Sequence, residues 1–102
     1  RAEETFSRLI DELSMQFTDG RAPGSLVIRK MRSRWGSCSY QGEVCLNLLL
    51  IREALPQIEF VITHELCHLR HFGHNSDFYR LMDKVMPDWR QREALLGRAG
   101  AC

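Results

Sequence analysis

At 102 residues the chain has room for one modest hydrophobic core and not for two. Its 44% hydrophobic and 26% charged residues exclude a disordered segment, and no apolar run approaches the roughly 18 residues of a membrane span. The net charge of +1 hides a polarity. Residues 1–20 hold Glu3, Glu4, Asp11, Glu12 and Asp19 against Arg1 and Arg8, whereas residues 21–40 hold Arg21, Arg29, Lys30, Arg32 and Arg34 with no acid. That basic stretch reads first as a solvated strand face and second as a phosphate contact, so nucleic acid is not the favoured partner.

The chain opens on Arg1 without an initiator Met, and the expectation is a single domain over residues 1–102 that forms the C-terminal part of a longer protein. No signal peptide is visible. The four cysteines, Cys38, Cys45, Cys67 and Cys102, include no C-x-x-C pair. They read as reduced thiols of a cytoplasmic protein.

Phe6, Leu9, Ile10, Leu13 and Phe17 recur at helical steps and predict an amphipathic first helix stopped near Gly20. "DGRAPGS" is loop chemistry. Residues 26–35, "LVIRKMRSRW", then read as a strand, and "GSCSYQGE" as a turn or long hairpin connection. "VCLNLLLI" reads as a second, largely buried strand. Pro56 suits the first turn of a helix, "QIEFVITHELCHLRHF", whose Ile58, Val61, Ile62, Leu66 and Leu69 form an apolar face. Gly73 stops it, and Asn75 or Ser76 caps a further helix that ends at Pro87, before a last short helix, "WRQREALLG". Strands segregated from most of the helices predict an α+β fold.

All four histidines lie in "HELCHLRHFGH", residues 64–74. On a helix, His64 and His68 stand one turn apart on one face, a spacing at which two neutral imidazoles grip one metal ion, with Zn2+ the default. Glu65 points about 100° around the helix, beside such an ion, where a general base for water is needed. A catalytic zinc wants a third ligand. His71 would sit about 10 Å along the axis from His64, too far on a straight helix. His74 can swing back after the turn at Gly73 and is preferred. The alternatives are a structural metal site, or a carboxylate ligand from Asp77, Asp83, Asp88 or Glu93, each of which reads first as a solvated helix face. The spacing from His64 to His74 also suits metzincins. That class is rejected because His71 stands where it needs glycine, and Met82 and Met86 fall in a predicted helix rather than a Met-turn.

The segments "MRSRWGSCS", "VCLNLLL" and "FVITHELCHLRHFGHNSDFYRLMDKVMPDW" together resemble the YgjP-like family of predicted metal-dependent hydrolases, zincin-type metallopeptidases, over residues 26–95. More distantly the chain is similar to SprT-like proteases. The resemblance implies a minimal zincin-like domain: an N-terminal helix, a small antiparallel sheet, an active-site helix and C-terminal helices. It implies His64, His68 and His74 as zinc ligands, Glu65 as catalytic base, and a strand edge near Trp35, Gly36, Ser37 and Cys38 along the substrate cleft, with Tyr79 also at the cleft. The opposing reading makes Trp35 a core anchor. Two departures stand out: residues 1–102 do not include the family's usual N-terminal β-rich region, as expected of the C-terminal part of a longer protein or of a short variant, and Phe78-Tyr79 replaces its usual Phe-Trp.

These readings converge on a zinc-dependent hydrolase acting on a peptide or protein substrate, with no membrane partner. Tyr40, Tyr79, His71 and Arg70 are candidates to stabilise the oxyanion. Two rivals are a nucleic-acid-associated module with an auxiliary zinc and a redox- or metal-sensing domain using Cys67.

Overall fold

The protein is described from a computed structural model covering residues 2–96 and the backbone of residues 100–101. Helix α1, Ala2–Ser14, buries Phe6, Leu9, Ile10 and Leu13, the stripe its sequence spacing predicts. It stops short of Phe17, which is still carried into the core by turns in which Gln16 and Phe17 donate to the carbonyls of Leu13 and Ser14.

Strands β1 (Ser25–Arg29), β2 (Arg34–Cys38), β3 (Glu43–Asn47) and β4 (Gly100–Ala101) form one sheet in the order β1-β3-β2-β4. The sheet is mixed, not antiparallel as expected: β2 pairs antiparallel with β3, but β1 and β3 are parallel, as are β2 and β4. The run expected to be one strand over residues 26–35 breaks after Arg29, and the chain reverses. Strands β1 and β2 then stand one strand apart, and β3 enters between them. Asn47 holds that open reversal. Its Nδ2 donates to the carbonyls of Met31 (3.0 Å) and Arg34 (2.8 Å), and its Oδ1 accepts from the Met31 (3.4 Å) and Leu49 (3.0 Å) amides. A buried amide is inexpensive only when its donors and acceptor are used, as here. The same side chain caps a short 3₁₀ helix, Leu48–Arg52, so the second expected strand ends at Asn47 rather than running on through the leucines.

Helix α2, Leu55–His68, has Pro56 in its first turn and is buried from Gln57 to His68 apart from half-buried Glu59. It packs on α1 and against β2. Each fully buried Phe, Leu or Ile on it, such as Phe60, Ile62 and Leu66, contributes about 1.5–3 kcal/mol of apolar burial. Helix α3, Ser76–Val85, presents Phe78 and Met82 to the same core, and α4, Trp89–Ala94, presents Trp89. Trp89 Nε1 donates to Asp83 (2.8 Å), tying α4 to α3, and Arg92 pairs with Glu59 (2.8 Å), tying α4 to α2. Among the described residues no helix is long and apolar enough to cross a membrane. Cys102 lies outside the described residues.

Candidate metal centre

The last two turns of α2 carry His64, Glu65 and His68, all buried. The helix then tightens: the Leu69 amide donates to the carbonyls of Glu65 and Leu66, and the Arg70 and His71 amides both donate to the Cys67 carbonyl. Arg70 covers this end, donating from Nη1 to the Leu66 carbonyl (2.8 Å), pairing with Asp19 and stacking its guanidinium 4.0 Å from the Phe17 ring centre. Arg70 thereby locks the exit of α2 to the segment after α1, and its hydrogen bond, with that from the Arg21 amide, holds the Asp19 carboxyl below the usual range.

The chain turns back over residues 69–75. Gly73 has no left-handed backbone angle, so its conformational freedom is not what makes the turn. The return is fixed by Asn75, whose side chain accepts from the Phe78 amide (3.0 Å) and caps α3, leaving His74 poised just before that helix over the end of α2.

The three imidazoles converge. His68 Nε2 is 3.2 Å from His74 Nε2, which is 3.4 Å from His64 Nε2, and one ligand nitrogen from each lies within 4.8 Å of the others. Nitrogens held at 2.0–2.1 Å by a tetrahedral ion stand about 3.3 Å apart. Hydrogen bonding among three neutral imidazoles leaves lone pairs facing one another, whereas a cation satisfies all three. On this donor set a metal fits.

His71 stays out of the convergence. It contributes its carbonyl oxygen, 3.1 Å from His68 Nδ1, which orients the His68 ring with Nε2 facing inward. Its own side chain borders a surface hollow of Asp77, Arg80 and Leu81. The buried Phe78 ring is a common plate behind the cluster, with centres 5.0, 4.5 and 5.1 Å from those of His64, His68 and His74. Nothing in residue type marks Phe78, four residues after His74, for this role; it follows from where α3 packs. Tyr79 is partly exposed, lies over His74 with ring centres 6.3 Å apart, and stacks on Trp89.

Glu65 is fully buried against β2, at Gly36. A Cβ built on Gly36 would stand 3.2 Å from Glu65 Cγ and Oε2 and from the Cys45 carbonyl. Of the other residues expected along the cleft, Ser37 and Cys38 are half-buried on β2, and Trp35 lies among the core residues with its indole N–H buried and without a hydrogen-bond partner among the described residues. Cys67, one residue before His68, faces Met82 (Sγ to Sδ 3.3 Å), and burial pushes its thiol up to about 12. It is a core thiol. Of the carboxylates weighed as ligands, Asp77, Asp83 and Asp88 are instead engaged by Arg80, Arg90 and Arg92.

Comparison with curated proteins returns no match. Among solved structures, the chain is similar to the metallopeptidase zymogen of Pyrococcus abyssi abylysin, with a TM-score of 0.70 and 22% identity, over 92% of this chain and 90% of that one. At that identity the likeness establishes a shared fold. The family model described as "YgjP-like, metallopeptidase domain" matches residues 1–99. The chain therefore belongs to the YgjP-like metallopeptidase family.

Proposed function

We propose that this metal-dependent peptidase domain holds Zn2+ through His64, His68 and His74 and uses Glu65 as its general base. The observation that carries the reading is the convergence of three imidazole Nε2 atoms, 3.2 and 3.4 Å between neighbours, with a buried carboxylate on the residue next to His64. Three histidines with a fourth position left for water or substrate are the ligand set of a catalytic zinc rather than a closed structural one. When bound, the ion supplies Lewis acidity that lowers the pKa of water and polarises a carbonyl.

The chain supplies the rest. Glu65, seated against Gly36, accepts the proton that the attacking water gives up and returns it to the departing amine. The His71 carbonyl keeps His68 in one tautomer and orientation. Phe78 packs behind the imidazoles and keeps water from that side. His74 is exposed, so the site opens towards solvent on the side from which a peptide would approach.

The test pairs metal content with turnover. Glu65→Gln should retain one zinc per chain and lose peptide hydrolysis by about 10²–10⁴-fold, the usual contribution of a general base. Full turnover in that variant would remove Glu65 from the role, and zinc-free protein with intact His64, His68 and His74 would remove the metal site.

A further inference from the structure

We infer that the edge of β2 selects peptides carrying acidic side chains on one side of the scissile bond and a large aromatic side chain on the other. The inference rests on the peptidase reading above. Gly36 marks the centre of the edge, because it is the β2 residue against which Glu65 sits. That edge accepts an extended backbone: β4, residues 100–101, pairs with it in parallel at Arg34 and Gly36. Main-chain pairing of this kind gives affinity without sequence preference, and side chains at the two ends of the edge supply the preference.

The two ends differ in chemistry. Before Gly36 stand Lys30, Arg32 and Arg34, all exposed, and none of their side chains makes an ion pair or hydrogen bond among the described residues. Arg8, Arg70, Arg80, Arg90 and Arg92 each meet a carboxylate. The cations at the start of β2 are therefore among those left for an external anion, with Arg21, Arg52 and Lys84, and they are the ones that flank Gly36 along the chain. Arg34 lies two residues from Gly36, about 7 Å along a strand, within reach of a side chain two residues from the scissile bond. Beyond the other end of β2, Tyr40 is 84% exposed and its ring centre is 4.3 Å from that of Phe72, itself 37% exposed. Phe72 belongs to the turn that delivers His74. An exposed aromatic pair joining the β2–β3 hairpin to that turn forms a wall on which a further ring can pack.

An acidic peptide fits better than nucleic acid. Typical duplex binders neutralise roughly 6–10 phosphates, whereas three unpaired cations at one strand end suit one or two carboxylates.

The experiment uses the zinc-loaded full chain and a set of quenched fluorogenic peptides. Two carry Asp-Glu and Phe on opposite sides of a fixed central bond, in the two possible orders. Control peptides replace the acids by Ser or Lys, or the Phe by Ser. One of the two acid-and-aromatic peptides should be cleaved about tenfold faster in kcat/KM than its Ser-for-acid control, as two or three partly screened ion pairs allow. It should also exceed its Ser-for-Phe control by about three- to tenfold, the range of one aromatic contact. Arg32→Glu with Arg34→Glu should bring the acid-to-Ser ratio to one or below, and Tyr40→Ser should lower the Phe-to-Ser ratio alone. Equal cleavage of all peptides overturns the inference while leaving the peptidase reading intact. Should no peptide be cleaved, anisotropy of the labelled peptides with Glu65→Gln decides. Ranking in the same order upholds the edge and sinks the peptidase reading, and absence of ranking sinks both. A single-stranded DNA oligomer bound more tightly than the acidic peptide, and released by the two arginine reversals, would assign the cations to nucleic acid and overturn the inference.

Discussion

Gly36 and Glu65 are matched: the missing side chain of one is the seat of the other's carboxylate. A methyl group at residue 36 would lie 3.2 Å from Glu65 Cγ and Oε2, and equally close to the Cys45 carbonyl, a backbone atom of the neighbouring strand. The strand cannot yield without loosening its pairing with β2, so the carboxylate gives way. Gly36→Ala is therefore expected to lower kcat by about 10–100-fold with zinc content unchanged, since small misplacements of a catalytic group have effects of that size. Overpacking should also lower the unfolding free energy by about 1–3 kcal/mol. Full kcat in this variant, measured beside its urea midpoint, would show that the base needs no such seat.

How much of this was legible beforehand depends on the kind of signal. Helix α2 was legible because Pro56 starts it and its apolar residues persist from Ile58 to Leu69. The imidazole convergence was legible too, since the four-residue step to His68 and the return at His74 are properties of helix geometry and chain reversal. The break after Arg29 was not. Residues 26–35 look uniform in composition, and the reversal is held by Asn47, a dozen or more residues downstream, through bonds to Met31 and Arg34. The role of Gly36 was equally hidden, because it depends on what approaches from another element. His71 misleads for a different reason: its contribution is a backbone carbonyl, which residue type does not reveal.

That distinction between His71 and His74 can be measured. His74→Ala removes one of three converging nitrogens and should weaken zinc binding by more than about 100-fold, beyond the 10–100-fold typical of losing an outer hydrogen-bond partner. His71→Ala keeps the carbonyl that holds His68 and should change zinc affinity by less than about tenfold. Competition titration with a chromogenic chelator reads both. Equal losses would place His71 on the metal.

Cys67 gives a pH dependence with a definite sign. Its ordinary value of 9.0 is raised to about 12, chiefly by burial and secondarily by the Glu65 charge, with Arg70 opposing. Between those values the unfolded chain releases the thiol proton while the folded chain keeps it, so the stability contribution is complete below pH 9 and is lost progressively up to about pH 12. The slope is at most about 1.4 kcal/mol per pH unit. Wild type should lose stability relative to Cys67→Ala across that window, measured by urea unfolding at each pH. Parallel curves would mean that the thiol ionises equally in both states. Iodoacetamide at pH 8 should leave native Cys67 unmodified.

The backbone pairing of residues 100–101 with β2 sets the last expectation. Those residues occupy the strand edge at Arg34 and Gly36, the position a peptide would take beside Glu65. A substrate pairing there must displace them first, which weakens its apparent affinity by the fraction of molecules in which the edge is covered. Removing residues 97–102 should therefore lower KM, with kcat unchanged because His64, Glu65, His68 and His74 all remain in the shortened chain. The contact is two residues long, so its displacement costs little, and a decrease in KM of about two- to tenfold is expected from one or two backbone hydrogen bonds. The comparison is made on one fluorogenic peptide, with thermal unfolding in parallel to confirm that the shortened chain remains folded. A folded, shortened enzyme with unaltered KM would mean that β4 leaves the substrate edge free.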